Sequence, residues 1–508
     1  MRAADLGVRR PPSGSTVGAV TTSSAPSRGR TFRSDLPARL DRLPWSPWHV
    51  RILVGLGTVW ILDGLEVTLV GALSDRLTEP GSGISLTAGD IGVAAAVYVA
   101  GACLGALFFG VLTERYGRKK LFMVTLLVYL GATALTATAT EAWMFFLWRF
   151  LAGAGIGGEY AAINSAIDEL MPARLRGRID LLVNGSYWIG GAAGAALTLV
   201  LLDEGILPAS LGWRLAFGAG ALLGLVVLLV RRHVPESPRW LSLHGRHDEA
   251  EGVVSGVEET VEREEGRLPA VDPDRSLEIT ERPPVRIGEV VRAVFGTYRK
   301  RSVLGLSLFI GQAFLYNAVY FTQGLVLGTF FDVDSAKTGL YIIPLALGSF
   351  LGPLLLGRFF DTVGRRKMIT LSYVGSGVLL VGTALLFQSG ALSAWGLTAC
   401  WTVVFFFASA GASSAYLTVS EIFPMETRAM AIAFYFAVGT GIGGIIGPVL
   451  FGRLVETEQV SMVAFGYYLG AALMIAAGGV EAVIGVDAEN QSLEDIADPL
   501  GSSSAQRS

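Results

Sequence analysis

Charged side chains inside the apolar stretches of the sequence are few, and four of them are the best candidates for chemistry. Asp63 and Glu66 fall in a hydrophobic run near 50–74, and Arg149 and Glu159 in another near 142–167. Asp63 and Glu66 are three residues apart and so share one face of a helix. Arg149 comes about eight residues into its run, which at 1.5 Å per residue places it on the order of 12 Å deep in a bilayer. An unpaired charge at that depth costs at least about 2.5–3.5 kcal/mol, so Arg149 requires a partner. A carboxylate attracted to an arginine loosens its hold when it takes a proton, and this is the elementary step that couples proton entry to a conformational change. Either Asp63 or Glu66 could carry that proton. Glu159, in Gly157-Gly158-Glu159, is a further intramembrane acid that could couple or bind.

A second set of residues is suited to recognition. Gln312, Tyr316, Asn317 and Tyr320 lie in a run near 302–330, Asn184, Tyr187 and Trp188 in one near 178–202, and Tyr416 in one near 394–420. Amides with aromatic rings suit a small polar molecule with a flat or ring-shaped face. Other chemistries lack their residues. His49, His233, His244 and His247 fall outside the middle of any apolar run, and Cys103 and Cys400 read as small buried hydrophobes, so no zinc site, disulfide framework or cofactor is implied. No nucleophile and base pattern marks an enzyme, and nothing marks a nucleic-acid binder.

The elements that must position these residues are membrane helices. A chain of 508 residues with 52% hydrophobic and 16% charged residues and a mean hydropathy of +0.52 does not have water as its main solvent. Twelve runs, near 50–74, 90–112, 121–140, 142–167, 178–202, 212–231, 302–330, 338–360, 368–388, 394–420, 428–453 and 461–485, are each long enough to cross a hydrocarbon core of about 30 Å. Glycine runs such as Gly153, Gly155, Gly157 and Gly158, and Gly441, Gly443, Gly444 and Gly447, let helices approach closely in lipid. Basic residues collect in alternate loops, at Arg115, Arg118, Lys119 and Lys120, at Arg174, Arg176 and Arg178, and at Arg365, Arg366 and Lys367. Those loops are expected to be cytoplasmic, with both termini on the same side.

The chain also repeats itself. Gly110, Glu114, Gly117 and Arg118 are answered 247 positions later by Gly357, Asp361, Gly364 and Arg365. Glu169, Pro172 and Arg176 are answered 252 positions later by Glu421, Pro424 and Arg428. Duplicated halves in a membrane chain mark a secondary transporter that rocks about a central site. The expected divisions are a disordered cytoplasmic tail over 1–45, a six-helix bundle over 46–231, a cytoplasmic linker with helices over 232–301, a second bundle over 302–485, and a tail over 486–508.

These duplicated motifs, with Pro235-Glu236-Ser237-Pro238-Arg239-Trp240-Leu241, resemble the major facilitator superfamily, and the last run is similar to its sugar porter and metabolite-transporting branch. The resemblance implies an all-α integral membrane fold of twelve transmembrane helices in two pseudo-symmetric bundles. It also implies an intracellular latch of charge pairs drawn from Gly110, Glu114, Arg118, Glu169, Arg176, Glu236, Arg239, Asp361, Arg365, Glu421 and Arg428. In sugar porters an acid of the first helix pairs with an arginine of the fourth, twenty positions before the motif glutamate. Arg149 stands twenty before Glu169, whereas Trp401 stands twenty before Glu421. Gln312 and Asn317 keep the spacing of that branch's seventh-helix amides. Gly311 and Leu315 stand where the branch has a second glutamine and a glycine, which turns the expectation from a hexose toward another small metabolite. The function expected is proton symport of a sugar-like molecule or small organic acid by a monomer in the plasma membrane. The alternatives are a drug/proton antiporter and a non-transporting sensor on the same fold.

Overall fold

The computed structural model describes residues 31–171, 173–231, 236–271, 277–280, 296, 298–423 and 434–487. The first half runs through α2 (Pro47–Thr78), α3 (Ala88–Tyr116), α4 (Arg118–Thr136), α5 (Ala142–Leu170), α6 (Ala173–Leu201) and α7 (Ala209–Arg231). It is preceded by a short helix, α1 (Leu36–Asp41), and followed by the linker helices α8 (Pro238–Leu243) and α9 (His247–Glu265). The second half comprises α10 (Arg299–Phe331), α11 (Thr338–Thr362), α12 (Arg365–Gln388), α13 (Ala394–Ile422), α14 (Gly441–Glu456, entered through a π turn at Phe436–Thr440) and α15 (Val460–Ile484). Ten of the twelve long helices are apolar and long enough to cross a membrane on their described residues, and the other two, α5 and α6, have part of their side chains outside the described ones.

Lipid offers no hydrophobic drive between helices, so these pack by close approach of small residues. The seam between α3 and α5 is the clearest case. Gly101 and Gly105 on α3 face Gly153 and Gly157 on α5, and a Cβ added at any of the four would stand 1.9–2.1 Å from a carbonyl oxygen of the other helix. The two glycine pairs thus press backbone on backbone and bring Arg149 of α5 against Tyr98 of α3.

The two halves meet through α2 against α10, α3 against α14, and α6 against α11. Among the described residues their backbone approaches lie toward the face opposite the linker. A Cβ at Gly71 would fall 1.9 Å from the Tyr320 oxygen, one at Gly92 2.4 Å from that of Pro448, and one at Gly339 2.2 Å from that of Ala195. Hydrogen bonds cross the same boundary, from Leu325 N to Ser74 Oγ at 3.1 Å and from Gly89 N to Glu456 Oε1 at 3.0 Å.

On the linker face the expectation of a disordered tail over 1–45 requires correction for its last third. Thr31–Ser34 forms a strand paired antiparallel with Leu277–Thr280, and α1 docks on α9. Leu40 and Leu43 are buried against Val254, Val257 and Val261. Arg39 meets Glu251 and Glu258, each at 2.5 Å, and Arg42 meets Glu258 at 2.5 Å. Composition concealed this because the leucines contributed by the tail are few, while the valines they cover belong to the linker. Residues 1–30 and 488–508 lie outside the described residues.

Candidate functional site

Arg149 has its partner in Glu66. Its Nη1 donates to Glu66 Oε1, and both side chains are wholly buried. Thr133 Oγ1 on α4 donates to the same carboxylate, at 3.1 Å to Oε1 and 3.0 Å to Oε2. Asp63, one turn earlier on α2, is equally buried and accepts a hydrogen bond from the Tyr98 hydroxyl at 3.1 Å. The ring of Tyr98 lies beneath the Arg149 guanidinium, 4.4 Å from its centroid to Cζ. One tyrosine on α3 therefore touches the acid at one end and the ion pair at its face. The ring of Phe217 packs on the same guanidinium at 5.6 Å. Arg149 Nε and Nη2 make no hydrogen bond among the described residues, so ring contacts take up part of the charge that hydrogen bonds leave. Glu159 is fully buried on α5, and Tyr129 lies within coulombic reach of Glu66, Asp63 and Glu159 together.

The recognition residues form a separate cluster across the two halves. Trp188 on α6 stands 5.7 Å from the ring of Tyr316 and 5.4 Å from that of Tyr320, both on α10. Tyr316 and Tyr320 are parallel, 6.0 Å apart at 4°, and Phe405 on α13 meets each edge-on at 4.8 and 5.2 Å. The Tyr320 hydroxyl is 3.1 Å from Ser349 Oγ on α11. Gln312 is buried on α10, and Asn184 is half-buried one turn before Trp188. Asn317 donates to the Ala313 carbonyl of its own helix at 2.8 Å. Tyr416 stands apart from this group, packed edge-on against Phe309 at 4.8 Å and within coulombic reach of Cys103 and Asp63. The two sets are joined by Tyr98, whose ring meets Phe321, next to Tyr320, at 6.2 Å.

At the linker face the duplicated glycine has a physical explanation. Gly117 and Gly364 are the residues before α4 and α12, with φ of +94° and +115°, a conformation that side chains other than glycine disfavour. A Cβ at Gly117 would also stand 2.8 Å from Glu236 Oε2. Glu236 accepts from Lys119 N at 3.1 Å and so caps the start of α4 from the linker. In the other half Arg366 donates to the Ala482 carbonyl at 3.1 Å, near the end of α15. The remaining latch residues are placed by backbone only: Gly110 and Glu114 in α3, Arg118 opening α4, Glu169 in α5, Arg176 in α6, Arg239 in α8, Asp361 in α11 and Glu421 in α13. Their side chains, Pro424 and Arg428 lie outside the described residues. Arg365 opens α12.

Sequence reasoning missed Tyr98, Thr133 and Phe405, which look like any other residue of an apolar helix until helix rotation is known. It also missed Glu481, the lone charge in the run near 461–485, which is fully buried with both carboxylate oxygens lacking a hydrogen bond among the described residues.

Two helical halves spanning a membrane, joined by a linker and enclosing buried charges and a shared ring cluster, define a transporter of the major facilitator fold. The chain belongs to the family described as "Sugar (and other) transporter", whose profile matches residues 56–498. It is 25% identical over 463 residues to a niacin transporter of Acinetobacter baylyi, covering 91% of this chain and 99% of that protein. A benzoate transport protein of the same organism is 22% identical, over 82% of this chain and 86% of the other. Among solved structures, a D-xylose-proton symporter superposes with a TM-score of 0.66 at 17% identity, over 88% of this chain and 100% of the other. The family and these relatives are transporters of small metabolites.

Proposed function

We propose that the protein is a proton-coupled symporter of a small, ring-bearing organic metabolite, working by alternating access in the plasma membrane with its termini and linker in the cytoplasm. The observation that carries this reading is the wholly buried Arg149–Glu66 pair joined through Tyr98 to Asp63. Protonation of either acid weakens its attraction to the guanidinium, and Tyr98 passes the change to Phe321 on α10, beside the rings that span the halves. One proton moving down a membrane potential releases about 2.3 kcal/mol per 100 mV, enough to drive a substantial substrate gradient. The cluster of Trp188, Tyr316, Tyr320 and Phe405 supports a planar substrate, and the names of the niacin and benzoate relatives point the same way. Glu236, Arg118 and Arg176, with the repeats Arg365 and Arg428, serve in this reading as the cytoplasmic latch. Several wetted, individually weak pairs make such a latch reversible.

The test is transport in proteoliposomes with nicotinate, benzoate and xylose as probes. Asp63→Asn or Glu66→Gln is expected to abolish uphill uptake driven by a pH gradient while preserving exchange of internal for external substrate, because the amide imitates the protonated acid. Arg149→Ala is expected to impair both, since it strands buried carboxylates. Uphill uptake with unchanged pH dependence in the double carboxylate variant would overturn the assignment and direct attention to Glu159.

A further inference from the structure

Between the first turns of α4 and the linker helices lies a groove of about 820 Å³. Its rim carries Lys119, Lys120 and Arg246, and its floor is apolar, with Met123, Val124 and Leu127 on the α4 side. The carboxylates at the rim are engaged: Glu236 accepts from the Lys119 amide at 3.1 Å, and Glu249 accepts from Arg246 at 2.5 and 2.7 Å. Lys119 and Lys120 are exposed, and their ammonium groups make no hydrogen bond or ion pair among the described residues. Arg246 and Glu249 offset each other, and Lys119 and Lys120 exceed Glu236 by one charge, so the lining is net positive.

The floor continues as a stripe along α4. Lys120, Val124, Leu127, Gly131 and Leu135 follow one another at spacings of four, three, four and four, so they lie on one helical face. Val124, Leu127 and Leu135 are 41, 53 and 41% exposed, and nothing stands within 4 Å of a Cβ placed on Gly131. From Lys120 to Leu135 the helix rises about 22 Å at 1.5 Å per residue, more than the ~15 Å half-thickness of a hydrocarbon core. A cationic groove at the helix end thus opens onto an apolar track that reaches the middle of the bilayer.

We propose that this groove binds an anionic phospholipid from the leaflet on the linker face, with its phosphate at Lys119 and Lys120 and an acyl chain along the α4 stripe. A free cytosolic anion would use the cations but not the track, whereas a lipid uses both. The occupied groove would bridge α4 to α8 and α9, beside the Glu236 cap, and so brace the linker against the first half. This assignment is independent of which substrate is carried or whether protons drive it.

The experiment is binding of short-chain phosphatidylglycerol to the purified full-length protein, read as lipid adducts by native mass spectrometry, with phosphatidylcholine and glycerol 3-phosphate as parallel probes. Each lysine near an anionic headgroup contributes about fivefold, so Lys119→Gln with Lys120→Gln is expected to weaken phosphatidylglycerol binding by roughly 25-fold. Phosphatidylcholine binding should change little. Gly131→Trp leaves the cations in place and obstructs the acyl track, and it is expected to weaken binding of long-chain more than of short-chain lipid. Equal affinity for the two lipids, unchanged binding in the double lysine variant, or glycerol 3-phosphate binding as tightly as phosphatidylglycerol would each overturn the proposal. A normal elution volume of each variant verifies that it is folded.

Discussion

Tyr98 has two separable contacts, its hydroxyl with Asp63 and its ring with Arg149. Tyr98→Phe removes the first and keeps the second, at about 0.5–1.5 kcal/mol for one hydrogen bond. The expected result is a displaced pH dependence of uptake with substrate affinity held within about twofold, because the ring cluster at Trp188 is untouched. Equal pH profiles for the variant and the parent protein would show that Asp63 is not linked to the pair through this hydroxyl. The buried arginine and its need for a carboxylate were legible in the sequence, since few charges fall within the apolar runs. Which acid meets it was not, because Asp63 and Glu66 lie on one face and differ only by the rotation of α2 against α5. The glycine seam fixes α5 against α3, and the packed helices place Arg149 on Glu66 of α2. The amide at position 317 keeps the spacing of a substrate contact, and in the fold its nitrogen donates to Ala313 of its own helix.

Helix starts and dockings are governed by local geometry that single residues decide. Gly117→Ala forces a side chain into φ +94° and against Glu236, so both strain and loss of the cap are expected to destabilise the start of α4 by about 1–3 kcal/mol. Glu236→Gln keeps a capping oxygen and loses the charge at the helix start, for a smaller cost of about 0.3–1 kcal/mol. Thermal unfolding of the two variants in detergent checks this order, and a larger loss for Glu236→Gln would contradict it. The clasp of α1 on α9 yields a pH prediction. Burial opposes ionisation of Glu258, but hydrogen bonds from Arg39 and Arg42 outweigh it and hold the carboxyl below its ordinary range. A group depressed in this way contributes stability above its unfolded pKa and loses it as pH falls through the docked value. A spin-label pair on α1 and α9 should stay close at neutral pH and separate only below the usual glutamate range of about 4.3. Arg39→Gln should raise the pH of release. The membrane helices were legible because length and hydropathy suffice to define them. This clasp was not, because Leu40 and Leu43 gain their meaning only from Val254, Val257 and Val261, more than two hundred positions away.

At the scale of the whole molecule, the linker and the amino-terminal segment are attached to one half. Arg51 on α2 pairs with Glu264 of α9, Trp48 N donates to Glu264 Oε2 at 3.0 Å, and Glu236 caps α4. The second half is joined to this assembly in sequence only through the stretch between α9 and α10, while its contacts with the first half run through α2, α3 and α6. Covalent continuity at that point therefore has little to do with how the halves recognise each other. A gene cut between Ala270 and Val271 would yield two polypeptides whose mating surfaces are complete, and strand pairing of Leu277–Thr280 with Thr31–Ser34 would help to bring them together. Co-expressed, the fragments 1–270 and 271–508 are expected to co-purify and to recover transport. Failure of the pieces to associate would mean that the peptide bond itself, through the effective concentration it imposes, is part of what assembles the transporter.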